Sequence, residues 1–117
     1  MEMVDATKQS AALRLAEAAG QDPASSAAQI PESYLARNFQ LYREGRYAES
    51  IAASRAAINL RPNYAEAWNN IGAAYNKLGQ YDEAVDACEQ ALRYKPDFEL
   101  ARNNLQYAHE MAKSSGN

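Results

Sequence analysis

The sequence predicts an all-α chain, a solenoid of stacked antiparallel helix pairs finished by terminal capping helices. Three observations predict it. Residues 31–64 and 65–98 align without gaps, so that Glu32, Gly45, Tyr47, Glu49, Ala53, Ala57 and Pro62 each recur 34 residues later. Within each unit the apolar residues recur at three- and four-residue steps, the spacing of one helix face. Each unit is punctuated twice, by a glycine in the middle and a proline near the end, which are the residues that stop helices.

The elements follow in order. Residues 6–19 carry Ala11, Leu13, Leu15, Ala16 and Ala19 and read as a first helix, followed by the linker-like QDPASSAAQI, so that residues 1–30 form an N-terminal helix and linker. Residues 31–44 and 47–60 form the first pair, joined at Gly45 and ended by Pro62. Residues 64–78 form the next helix, through Trp68, Ile71, Ala74, Tyr75 and Leu78, and Asn63 with Glu66 reads as its capping pair. After Gly79, residues 81–94 continue through Ala84, Val85, Cys88, Ala91 and Leu92 until Pro96. Residues 98–112 repeat the start of a unit and then stop in SSGN, so residues 99–117 read as a polar capping helix and tail. Six helices are expected in all. Two amphipathic helices cannot bury both faces alone, so the pairs must stack. Tyr47, Tyr64, Trp68, Tyr75, Tyr81, Tyr94 and Phe98 are expected to pack helix on helix.

Residues 65–98 resemble a tetratricopeptide repeat through Trp68, Ile71, Gly72, Tyr75, Ala84, Ala91 and Pro96, with Cys88 where a larger aromatic is usual. Residues 31–64 resemble a degenerate repeat of the same family. Arg37 and Asn38 stand there in place of a leucine-like residue and a glycine, and Ser50 and Ser54 in place of alanine and an aromatic. The units are similar to those of O-linked N-acetylglucosamine transferases and of bacterial proteins of this family.

Composition excludes several function classes. The chain has 117 residues, 47% hydrophobic and 23% charged, enough apolar surface for one ordinary domain. Its net charge of -3 and its scattered Lys and Arg lack the basic footprint of a nucleic-acid binder. No stretch approaches the about 20 apolar residues of a membrane-spanning helix. The single Cys88 excludes an internal disulfide framework and favours a reducing compartment, so a soluble, cytoplasmic chain is the expectation. No catalytic constellation, metal cluster or cofactor motif is legible. His109 reads as a solvated residue, Cys88 as a small core filler, and Asp82, Glu83 and Asp86 as acids complementing a helix N-terminus.

The resemblance implies that the first helix of each unit lines a concave groove at fixed positions. These are Glu32, Leu35, Ala36, Phe39, Tyr42 and Arg43 in the first unit, and Glu66, Asn69, Asn70, Ala73, Asn76 and Lys77 in the second. On the last helix they are Leu100, Asn103, Asn104, Tyr107, Glu110 and Met111. Leu35, Phe39 and Tyr42 form an apolar stripe, which is either a partner site or the seat of the first helix. Asn70 and Asn104, one repeat apart, are placed to serve the backbone of an extended peptide, or else to solvate the inner face. Of the five positions with which some family members clamp a chaperone's terminal carboxylate, Asn70 alone matches. Leu35, Phe39, Leu100 and Asn104 do not.

The function implied is a non-enzymatic scaffold that binds a protein or peptide segment in its groove. The alternatives are self-assembly through exposed solenoid ends, giving a homo-oligomer, and a regulatory fragment of a larger enzyme.

Overall fold

The computed structural model describes residues 30–115, and among them the chain is helical with no strand. The expected helix over residues 6–19 lies outside the described residues. The five described helices are α1 (Pro31–Arg43), α2 (Tyr47–Leu60), α3 (Ala65–Lys77), α4 (Tyr81–Tyr94) and α5 (Glu99–Ser115).

The two units end their helices by the same local chemistry. Gly45 and Gly79 adopt φ of 77° and 76°, the left-handed region that side chains resist. In each turn the chain folds back on itself: Gly45 N–H donates to Tyr42 O and Arg46 N–H to Leu41 O, while Gly79 N–H donates to Asn76 O and Gln80 N–H to Tyr75 O. These paired bonds satisfy carbonyls that the helix leaves open. At the other end, Arg61 and Lys95 are extended, at φ of -141° and -142°. Each precedes a proline, whose ring forbids the helical conformation to its neighbour. The expected capping pair is corrected. Tyr64 stands at the cap of α3 without a side-chain bond, and Glu66 reaches Lys95 instead of turning back to Asn63.

Neighbouring helices pack in sequence, and α3 also touches both α1 and α5, whereas α2 and α4 make no comparable contact. The odd-numbered helices therefore form the tighter, inner face of the curve. Alanine makes this stacking close: Ala57, Ala67, Ala74, Ala84, Ala91, Ala101 and Ala108 are fully buried. Ile51, Ile71, Ala74 and Ala87 form one core cluster, with Tyr42, Tyr47, Ile58, Trp68 and Tyr75 half-buried around it. Most of the aromatic set thus packs as expected, but Tyr94 is exposed at the end of α4, as is Leu60 at the equivalent place in the first unit.

Helix separation within the pairs is set by one position. A Cβ on Gly72 would lie 2.5 Å from Cys88 Sγ and 3.3 Å from Ala84 O, so only glycine lets α3 approach α4 this closely. In the first unit Asn38 occupies that position and Ser50 that of Ala84. There Asn38 Nδ2 donates to Ser50 O at 2.8 Å, replacing close approach with a hydrogen bond. Asn38 Oδ1 and Ser54 Oγ are buried without a partner.

Candidate functional site

The helix order places α1, α3 and α5 side by side, and their shared surface holds a cavity of about 300 Å3 lined by Tyr42, Ala73, Asn76, Lys77, Asn104 and Tyr107. Its walls are held by aromatic edges. The Tyr42 ring meets Tyr47 edge-on with centroids 5.2 Å apart, and Tyr107 meets Tyr81 likewise at 6.3 Å. Phe39 and Tyr107 are about half exposed on this face, at 51% and 47%.

The structure divides the sequence-predicted site residues. Tyr42, Ala73, Asn76, Lys77, Asn104 and Tyr107 come together around the cavity, while Asn103 is exposed outside it. Leu35 is not part of an open stripe. It is buried at 8% exposure with Ala57 and Ala67, because α2 and α3 close over it, so Leu35, Phe39 and Tyr42 do not act as one patch. Asn69 and Asn76 are buried as well and bind the fold together. Asn104 Nδ2 donates to Asn69 Oδ1 at 2.9 Å, and Asn76 Nδ2 donates to Asn104 O at 3.1 Å. The amide nitrogen of Asn104 is thereby engaged within the fold, and Asn70 Nδ2 is buried without a partner. Of the expected pair Asn70 and Asn104, only Asn104 takes part in this helix-to-helix tie, since α5 lies close enough for its amide to reach α3.

Sequence reasoning missed a repeated clasp. Arg61 pairs with Glu32 at 2.8 Å and lies over the Tyr64 ring at 4.7 Å; Lys95 pairs with Glu66 at 3.4 Å and lies over Phe98 at 4.7 Å. The Arg61 hydrogen bond holds the Glu32 carboxyl below its usual range. The signal was present, since all three members recur 34 residues apart.

On the opposite face a cavity of about 400 Å3 lies over Trp68, Ile71 and Tyr75, between Arg55 of α2 and Glu83 and Asp86 of α4. Arg55 donates to the Tyr75 hydroxyl at 2.8 Å, and Trp68 Nε1 to Pro62 O at 2.9 Å. Burial pushes the Cys88 thiol up to about 12, which suits a core filler rather than a nucleophile. Among the described residues no group of His, Cys, Asp or Glu could hold a metal ion, and no helix is long and apolar enough to cross a membrane.

Comparison with known proteins agrees with this geometry. No curated protein matches the chain. The crystal structure of MamA superposes with a TM-score of 0.59 at 22% identity, over 76% of this chain and 62% of that one, so this chain spans less than two thirds of that protein's length. The likeness is one of fold. A tetratricopeptide-repeat model matches residues 65–98 and a TPR-repeat model residues 40–79, together half of the chain. Repeats of this kind generally mediate protein–protein interaction or scaffolding and are generally not enzymes. With both turns, both proline ends and the stacked pairs in place, the chain belongs to the tetratricopeptide-repeat family.

Proposed function

We propose that the chain is a binding module that accepts an extended segment of a partner protein along its inner face. The observation that carries this reading is the open cavity between α1, α3 and α5, where Tyr42, half-exposed Tyr107 and Lys77, which has no ion pair among the described residues, converge, with exposed Phe39 on α1 outside the lining. Exposed aromatic surface beside polar groups is what a recognition groove offers. With so few repeats the affinity is expected to be about micromolar.

The test uses fluorescently labelled dodecapeptides captured by the full chain from a random synthetic pool. Ala73→Arg, which fills the cavity from its floor, should weaken their binding at least about tenfold while leaving the melting temperature nearly unchanged. Glu89→Arg, on the outer side of α4, should not. Equal binding by the Ala73→Arg chain would rule the groove out. A second reading, self-association, is favoured by the uncovered Leu60 and Leu100. It predicts a mass that rises with concentration in light scattering, and a constant monomer mass would exclude it.

A further inference from the structure

The repeat carries its charges with the same period as its packing, and ion pairing takes up the repeated acids at the start of the inner helices but not the repeated cations at their ends. Glu32 and Glu66 occupy equivalent places on the inner helices, and each is neutralised by an equivalent cation, Arg61 or Lys95. Arg43 and Lys77 are also one repeat apart, in the last turns of α1 and α3. Both are exposed, and no ion pair joins either to a carboxylate among the described residues. Their charges offset the helix dipole and remain free toward solvent. The unpaired acids Glu83, Asp86 and Glu89 lie instead around the outer cavity. On the inner helices Glu110 accepts a hydrogen bond from Gln106 and keeps its charge; it and Arg43 lie beside the cavity, whereas Lys77 lines it. A chain of net charge -3 thus places one unpaired cation, Lys77, in the cavity and its repeat equivalent, Arg43, at the end of the neighbouring inner helix.

Resting on the groove reading, we propose that the segment bound there is acidic, with side-chain carboxylates of internal Glu or Asp residues meeting Lys77 and Arg43 and an apolar residue entering between Tyr42 and Tyr107. Two successive units each present one cation, whereas a chain end supplies a single terminal carboxylate, so internal side chains suit the spacing. Two cations without a surrounding basic patch are too sparse for a nucleic-acid backbone. A second feature of the same cavity concerns the segment's backbone. Asn76, more than nine-tenths buried, lines the cavity, and its Oδ1 is a buried acceptor without a partner among the described residues, open to a peptide N–H only if the side chain turns toward the cavity.

The experiment captures pooled random dodecapeptides, acetylated and amidated at their ends, on the immobilised full chain and sequences those retained. Retained peptides should be enriched in Glu and Asp. Changing those residues to Gln, or the chain to Arg43→Gln/Lys77→Gln, should weaken binding about tenfold, and the preference should fade at ~0.5 M salt. The Arg43→Glu/Lys77→Glu chain, matched for helicity, should retain basic peptides instead. Peptides that lose binding to the Ala73→Arg chain yet show no acidic bias would overturn the charge inference and leave the groove reading standing. Retention untouched by Ala73→Arg would fell the groove reading and this inference with it. A parallel pool that binds only with free carboxyl ends would assign the anion to a terminus, and preferential capture of a single-stranded oligonucleotide would assign the site to nucleic acid. Either result overturns the proposal.

Discussion

At the scale of single residues, Gly72 and Cys88 act as one packing decision. The missing Cβ lets α3 settle against the thiol, and burial keeps that thiol neutral. Gly72→Ala should cost about 1–3 kcal/mol by overpacking, and Cys88→Ala should partly rescue it, which a double-mutant cycle of urea midpoints would measure. The thiol also sets a pH dependence. Its folded value of about 12 stands above the ordinary thiol value of 9.0, so at pH 7 both states are protonated and it contributes nothing. Between those two values the unfolded state loses the proton that the folded state keeps, and stability falls as pH rises. The urea midpoint of the parent chain should therefore drop faster in that window than that of Cys88→Ala. Ser54 shows the opposite case, because its hydroxyl is fully buried and unpartnered. Ser54→Ala should raise stability by about 1 kcal/mol, and an unchanged or lower melting temperature would show the hydroxyl to be satisfied.

At the scale of elements, helix ends were the most legible feature and helix faces the least. Gly45 and Gly79 sit in matching turns with open space around an added Cβ, so Gly45→Ala and Gly79→Ala should each cost about 1–2 kcal/mol and do so equally. Thermal melts that separate the two would show that the turns differ beyond backbone strain. Leu35 illustrates why faces were harder to read. Its spacing from Phe39 and Tyr42 places all three near one side of α1, but a helix touching two neighbours buries a wider arc than one stripe suggests. The Asn63 and Glu66 pair failed for a related reason. A charge near a helix start goes to the best cation within reach, and Lys95 is sequence-distant but close in space.

At the scale of the whole molecule, α5 completes the inner face. It buries Ala101 and Ala108, ties Asn104 to Asn69 and Asn76, and contributes Tyr107 to the cavity. A chain ending after Phe98 should melt about 10 °C lower or more, and it should lose peptide binding even at temperatures where circular dichroism reports full helicity of the remaining pairs. Retained affinity in that truncated chain would place the binding surface elsewhere.

The period of 34 residues, the two turns, the proline ends and the all-helical class were set by local chemistry, which acts within a few residues and so leaves its mark directly in the sequence. The identity of the family followed from the same positions. Which asparagines bind α5 to α3 was decided only in three dimensions, because residues of the same type at the same helical spacing could equally have stayed open to solvent. Which acids are neutralised by a cation was likewise invisible to composition. It depends on which cations come within reach across the stack, and that pairing exists only once the units are folded against each other.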